Sequence, residues 1–125
     1  MSVEIIELHH VNVTVPKALE AAAKHFYGGV LGLRQMQKPE GSRTNEGAWY
    51  QLGRLQLHLS LEDGVENRAS DRHVCYLVSD IPRAEAEFRE AGVEIIPDPR
   101  PMRGRPRFYV RDPGGNLLEI AQDKR

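Results

Sequence analysis

One order of predicted secondary-structure elements occurs twice in this sequence, and that repeat constrains the fold more than any other feature. Hydrophobic periodicity predicts a strand, a helix and three further strands within residues 5–62, and the same five elements again within 71–122. Each half has one helix to cover one small sheet, so two halves, or two chains, are needed to close a core. The 125 residues therefore predict one α+β domain, spanning 1–125, in which two βαβββ modules form a curved mixed sheet with the helices outside.

The boundaries of the predicted elements carry their own signals. Pro16 opens the first helix, which is predicted to end near Gly28 and Gly29. Asp80 is the predicted N-cap of the second helix, and Gly92 is its predicted stop. In the strands, alternation places apolar residues on one face and polar residues on the other, which is typical of half-buried strands.

Composition limits the partners of the chain. A net charge of −1 excludes an extended nucleic-acid surface, and the longest apolar stretches are strand-sized, too short to cross a bilayer. The first ten residues carry acids and lack the pattern of a signal peptide. The single cysteine, Cys75, excludes an internal disulfide framework. We expect a cytoplasmic protein with a small-molecule partner and no membrane or nucleic-acid partner.

Four potential metal ligands occupy corresponding positions in the two modules. His10 and His58 lie in the first and last strands of module one and are 48 residues apart. His73 and Glu119 lie in the first and last strands of module two and are 46 residues apart. Each falls on the polar face of its strand, and imidazole and carboxylate groups suit Zn, Ni, Fe and Mn. The pattern predicts one divalent metal site made by all four residues.

Further polar residues are expected beside this site. On the seventh strand, Tyr109 is predicted to donate a hydrogen bond to a substrate oxygen, and Arg107 to pair with a substrate carboxylate or phosphate. On the third strand, Trp49 and Gln51 share a face and are predicted to bind substrate. The Pro- and Arg-rich loop 98–106 is expected to be solvated, and the alternative is that its arginines cover an anionic substrate; they are Arg100, Arg103 and Arg105.

Several segments together carry a family resemblance that covers nearly the whole chain. They are HHVNVTV, LQLHL, HVCYLVSDI with its following helix, and RFYVRDPGGNLLEI. The sequence resembles the vicinal oxygen chelate superfamily, which includes glyoxalase I, fosfomycin-modifying thiol transferases, bleomycin-binding proteins, methylmalonyl-CoA epimerase and extradiol dioxygenases. The resemblance implies a glyoxalase-like fold of paired βαβββ modules. It also implies metal ligands at His10, His73 and Glu119, a more variable position at His58, and a homodimer in which both chains often contribute ligands.

The resemblance favours a glyoxalase-like lyase or isomerase, in which the metal stabilises an enolate or oxyanion of a small oxygen-bearing substrate. Glu119 is then the carboxylate that moves the proton. Glyoxalase I usually has glutamate where this chain has His58, so the sequence departs from that enzyme at one candidate base.

Three alternatives remain open. An extradiol dioxygenase would use His10, His73 and Glu119 as an Fe(II) triad, with Tyr109 ten residues before the glutamate, but the expected acid–base histidine before this tyrosine is missing. A drug- or metabolite-binding resistance protein is the second alternative, although bleomycin-binding relatives lack the ligands found in this chain. The third is a thiol transferase acting on fosfomycin.

Overall fold

The computed structural model describes residues 1–42, 45–101 and 103–123, so residues 43, 44, 102, 124 and 125 lie outside the description, position 102 of the predicted loop 98–106 among them. The described chain contains the predicted order of strand, helix and three strands twice. The strands and helices are β1 (His10–Val15), α1 (Glu20–Lys24), β2 (Arg34–Met36), β3 (Ala48–Leu52), β4 (Leu55–Leu61), β5 (His73–Leu77), α2 (Ile81–Glu90), β6 (Ile96–Pro97), β7 (Arg107–Arg111) and β8 (Leu117–Ala121).

The strands form two four-stranded mixed sheets with matching topology. The first sheet has the order β1-β4-β3-β2, and the second has the order β5-β8-β7-β6. In each sheet the first and last strands of the repeat pair in parallel, and the remaining neighbours pair antiparallel. The predicted α+β class is confirmed, with one mixed sheet per repeat.

The first helical segment extends beyond its predicted end. A 3₁₀ turn at Lys17–Leu19 leads into α1, and a π-helical turn then runs from His25 to Val30 through both glycines. A Cβ added at Gly28 would lie 3.4 Å from the Tyr50 ring, an ordinary contact distance, so the π-helical turn packs on β3 at this point. The segment stops at Gly32, whose φ of 70° is the left-handed conformation that ends many helices.

The second helix begins and ends as the sequence predicts. The Asp80 side chain accepts a hydrogen bond of 3.1 Å from the backbone N–H of Arg83, which satisfies one free donor of the first turn. After Ala91 the chain turns at Gly92, whose φ is 79°. The N-cap and the stop residue were readable from the sequence because both act through local backbone geometry.

Buried apolar residues from both halves form one core cluster. Phe26 from the first helical segment lies 6.5 Å, ring to ring, from Phe88 of α2. Phe88 in turn makes an edge contact with Phe108 of β7 at 5.9 Å. This row of aromatic rings joins the helical layer of the first half to the sheet of the second half.

A buried carboxylate links the same two halves by hydrogen bonds. Asp112, in the turn after β7, accepts a hydrogen bond of 2.6 Å from the Tyr27 hydroxyl. It also accepts bonds from the backbone N–H groups of Gly114 and Asn116 and from the Asn116 amide. The Tyr76 hydroxyl is buried nearby in the same core without a hydrogen-bond partner in the described chain.

The N-terminal segment before β1 exposes several apolar side chains. Five large apolar residues precede β1, each at least 64 % exposed: Met1, Val3, Ile5, Ile6 and Leu8. Within the residues that the structure describes, no helix has both the length and the apolar character to span a membrane.

Removing the Tyr27 hydroxyl is expected to destabilise the fold. In Tyr27→Phe, the buried carboxylate of Asp112 loses the hydrogen bond that the Tyr27 hydroxyl donates, which lowers the free energy of unfolding by about 2 kcal/mol. Urea unfolding measures this. Tyr76→Phe is the matched control, because it removes a buried hydroxyl without a partner and should leave stability equal or higher. Equal losses in both variants would contradict the assigned role of the Tyr27 bond.

Candidate metal centre

Parallel pairing places the four predicted ligands at matching positions in the two sheets. In the first sheet, His58 on β4 pairs with Asn12 of β1, and His10 lies two residues before Asn12. In the second sheet, Glu119 on β8 pairs with the residue of β5 that follows His73 by two. Residues two apart share a strand face, so each histidine is a diagonal neighbour of the ligand on the adjacent strand.

The second sheet brings His73 and Glu119 together with the imidazole oriented. Nδ1 of His73 donates to the Asp71 backbone carbonyl at 2.9 Å, and Nε2 lies 3.2 Å from Oε1 of Glu119. In the neutral ring, Nε2 then carries a lone pair that faces a carboxylate. This arrangement is favourable only when a proton or a metal ion lies between the two atoms. Two ligands of one divalent ion lie about 3.0–3.4 Å apart, so this pair fits such an ion.

The Glu119 carboxylate is buried, with its side chain 6 % exposed, and it has two further cationic neighbours. Its Oε2 atom lies 3.7 Å from Arg107 and 3.8 Å from Arg105. Cys75 pairs with Glu119 across the strands, and burial together with the Glu119 charge raises the pKa of this thiol. The carboxylate is therefore surrounded by several groups at distances longer than a tight ion pair.

In the first sheet, three aromatic rings form a column. His58 stacks on His10 with ring centroids 4.1 Å apart and on Trp49 with centroids 3.9 Å apart. Nε2 of His58 donates to Oε1 of Gln56 at 2.9 Å. Because imidazole lone pairs lie in the ring plane, the parallel rings of His10 and His58 do not point at one common atom. In this arrangement His58 is a stacking partner.

The outer end of the column contacts one more histidine. The Nδ1 atoms of His9 and His10 share a hydrogen bond of 2.9 Å, and the described chain places no partner on Nε2 of His10. Burial lowers the pKa of His58, and the charges of His10 and His9 lower it further. His58 is therefore neutral over more of the pH range than an ordinary histidine.

The described chain holds the four predicted ligands as two pairs. Within residues 1–42, 45–101 and 103–123, no group of three or more His, Cys, Asp or Glu side chains is arranged to hold a metal ion. A polar cleft of about 260 Å³ is lined by Asn12 and Thr14 of β1 and by His73 of β5. The edge strands of the two sheets therefore face a common space, while His10 and His73 belong to different clusters.

The other predicted site residues lie on the same two polar faces. Tyr109 is opposite Glu119 in the sheet and makes an edge contact with the His73 ring at 6.0 Å. Burial, with the Glu119 charge, raises the pKa of Tyr109, which keeps its hydroxyl protonated as a donor. Arg107 donates to Asp98 at 2.8 Å, which raises the arginine pKa. The amide of Gln51 donates to the carbonyls of Gly53 and Leu55 at the turn between β3 and β4.

Sequence reasoning missed three features of this region. Gln56 holds His58, the Asp71 carbonyl orients His73, and Arg105 reaches Glu119 from a loop that was expected to be solvated. The Arg105 contact had a signal, because extending the alternation of Arg107 and Tyr109 back past Pro106 puts residue 105 on the same face. The contact of His73 with the Asp71 carbonyl had no sequence signal, because it depends on backbone geometry before β5.

Comparisons with known proteins agree with this fold. The model of the Glyoxalase/Bleomycin resistance protein/Dioxygenase superfamily matches residues 7–120. A Bacillus anthracis protein described as a glyoxalase family protein is 32% identical, with a TM-score of 0.86, and the match covers 99% of this chain and 100% of that chain. A search of the curated proteins finds no match.

More distant solved structures share the fold. Lactoylglutathione lyase from Agrobacterium tumefaciens is 21% identical with a TM-score of 0.72, covering 95% of each chain. A mutant of the fosfomycin resistance protein FosX from Listeria monocytogenes, complexed with Mn(II) and 1S,2S-dihydroxypropylphosphonic acid, is 14% identical with a TM-score of 0.81. That match covers 96% of this chain and 94% of that chain.

The fold is that of a vicinal oxygen chelate protein. The chain belongs to the Glyoxalase/Bleomycin resistance protein/Dioxygenase superfamily, as the resemblance predicted.

The stack of Trp49 on His58 is expected to report the protonation of His58. Trp49 is the single tryptophan, and a protonated imidazole in face contact quenches indole emission. In protein held free of metal by a chelator, emission should fall with decreasing pH at a midpoint below the ordinary histidine value of 6.5, because the pKa of His58 is lowered.

The control for this titration is His58→Gln, in which the step should disappear. An unchanged step in the variant, or a midpoint above 6.5 in the wild type, would contradict the assignment.

Proposed function

We propose that this protein is a metal-dependent lyase or isomerase that acts on a small oxygen-bearing substrate. His73 and Glu119 are two ligands of the cation, and His10 is the third. The observation that carries this proposal is the oriented imidazole of His73, whose Nε2 faces the buried Glu119 carboxylate at 3.2 Å while Nδ1 is fixed on a backbone carbonyl. Metal-binding histidines are held in this way in many proteins.

A bound Zn, Ni, Mn or Fe ion would supply Lewis-acid stabilisation of negative charge on substrate oxygens. The side chains of the protein supply hydrogen bonding and proton transfer. The Tyr109 hydroxyl, kept protonated by its raised pKa, donates a hydrogen bond to a substrate oxygen. Oε1 of Glu119 faces His73, so Oε2 is the atom that takes and returns a proton at the substrate carbon.

His58 acts as a positioning residue in this proposal. Its stack on His10 and its hydrogen bond to Gln56 hold the His10 ring in place from one side. Trp49 closes the other face of His58 and forms part of the wall for the substrate. Gln51, beside it on β3, stays a predicted substrate contact through its carbonyl oxygen, since its amide hydrogens bind the turn.

The printed descriptions of two structural neighbours suggest which reaction and which metal to test first. One is a lactoylglutathione lyase, and another was solved with Mn(II). At 21% and 14% identity these neighbours establish the fold, so both the lyase chemistry and the manganese are proposals for this chain.

Metal content tests the assignment of His73 and Glu119 as metal ligands. Protein purified without chelator should carry a divalent metal, and His73→Ala or Glu119→Gln should weaken its binding at least about tenfold, since each removes one of three ligands. His25→Ala is the matched control, because His25 is an exposed helical histidine outside both sheets and should change nothing. His58→Ala should retain metal and lose turnover. Equal and low metal in wild type and His73→Ala would refute the site.

Turnover distinguishes the chemical alternatives once metal is present. Hemithioacetal conversion without oxygen uptake is expected for the lyase. Oxygen uptake on a catechol with bound Fe(II) would replace this proposal by the dioxygenase, and tight ligand binding without turnover would replace it by a binding protein.

We also propose that a second copy of the chain supplies His10 to the pair formed by His73 and Glu119. Within the described residues these ligands lie in two separate clusters, so one chain leaves each cluster short of donors. The strands that carry the histidines, β1 and β5, are edge strands of their sheets, where another chain can approach, although the Thr14 carbonyl of β1 already accepts hydrogen bonds from the amides of Asn67 and Asn116. The exposed apolar segment before β1, together with Leu77 at the end of β5, offers the apolar surface that a stable dimer buries.

Mixing two metal-deficient variants tests the shared site. In a dimer of one His10→Ala chain and one Glu119→Gln chain, one site carries both changes and the other carries neither. Random pairing should therefore restore about a quarter of the wild-type metal content. If all ligands came from one chain, co-expression would restore none, and a monomer in sedimentation would contradict the dimer directly.

A further inference from the structure

His9 contacts the candidate ligand His10, although strict strand alternation would point the two side chains to opposite faces. The Nδ1 atoms of the two rings lie 2.9 Å apart, and the rings meet edge to face with their centroids 5.2 Å apart. His9 precedes β1 by one residue, so its side chain does not have to follow the alternation of that strand. The contact adds a polar group at the edge of a candidate metal ligand, and the proposed function leaves this group without a role.

The backbone of His9 is fixed on the first sheet. Its carbonyl accepts a hydrogen bond of 3.2 Å from the backbone N–H of Gln56 on β4. The same glutamine pairs with His10 in the parallel register, and its side-chain oxygen holds His58. His9 is therefore held at the end of the strand pair that also positions both imidazoles of the aromatic column.

Two different contacts act on the His10 ring. The parallel ring of His58 lies against its face with the centroids 4.1 Å apart, and His9 meets its Nδ1 edge. The stack would be unchanged by a half-turn of the ring about its Cβ–Cγ bond, which exchanges the positions of Nε2 and Cε1. The hydrogen bond at Nδ1 is directional and selects one of the two orientations. The contact with His9 therefore decides where the Nε2 lone pair of His10 points.

We infer that His9 is a positioning residue, which accepts a hydrogen bond from Nδ1 of His10 and so keeps the Nε2 lone pair of His10 available for the metal ion. The inference rests on the proposed function, in which His10 is a ligand. A neutral imidazole that binds a metal through Nε2 carries its proton on Nδ1, and Nδ1 of His9 lies 2.9 Å away as an acceptor. His9 then carries its own proton on Nε2. In the first module His9 thus does what the Asp71 carbonyl does for His73 in the second.

Two substitutions of His9 test the inference, because they separate the acceptor from the ring. His9→Asn places an amide oxygen close to the position of Nδ1 and keeps an acceptor, whereas His9→Phe keeps a flat ring and has no acceptor. Zinc affinity, measured by competition with a chelator, should fall about tenfold or more in His9→Phe and stay within about threefold of wild type in His9→Asn. His25→Phe is the matched control, since it makes the same change at an exposed histidine outside both sheets and should leave zinc affinity unchanged.

Nitrogen-15 NMR of the zinc-loaded protein detects the hydrogen bond itself. The Nδ1 proton of His10 should be protected from exchange with water in wild type and in His9→Asn, and it should exchange rapidly in His9→Phe. A role of His9 in folding alone would leave this signal unchanged.

The outcomes distinguish the inference from the metal centre on which it rests. Zinc binding by His9→Phe as tight as that of wild type, or an equal loss in His9→Phe and His9→Asn, would overturn the inference and leave the metal centre standing. Absence of zinc binding in the wild type would refute the metal centre, and the role of His9 with it.

Discussion

Each sheet is held by a parallel pair between the first and last strands of its repeat, and this pairing decides where every candidate ligand lies. Parallel strands cannot be joined by a tight turn, so the helix and two further strands must occupy the chain between them. The register then makes His10 the diagonal neighbour of His58 and His73 the diagonal neighbour of Glu119. A shift of one residue in one of these strand pairs would turn one of its two candidate ligands to the opposite face.

The fold was predictable from the sequence because its signals are local. Alternation of period two sets which residues of a strand face the core, and Asp80 and Gly92 act through the backbone beside them. The polar face of each strand, and therefore the faces of His10 and His73, could be predicted in the same way. The continuation of the helical segment through Gly28 and Gly29 could not, because two adjacent glycines are a local signal for the end of a helix.

The grouping of the four candidate ligands could not be predicted from local sequence signals. Strand patterns predicted one site of four residues, and the described chain has His10 with His58 and His73 with Glu119 as separate pairs. How two sheets lie relative to each other follows from contacts between elements far apart in sequence, such as Tyr27 with Asp112. The Arg105 contact differs, because the alternation of Arg107 and Tyr109 extends back past Pro106 and puts residue 105 on the same face.

The support of His73 by the Asp71 carbonyl has a consequence for how this site can change over evolution. Where a side chain orients a metal-binding imidazole, mutation of that side chain disturbs the ligand. Here the orienting group belongs to the main chain, which every amino acid at position 71 retains. The tautomer of His73 is therefore inherited with the path of the backbone, and the stretch leading into β5 can accumulate substitutions while the imidazole stays fixed. Such tolerance lets selection act on the surrounding cleft, and so on which small molecule binds there, independently of the orientation of the His73 imidazole.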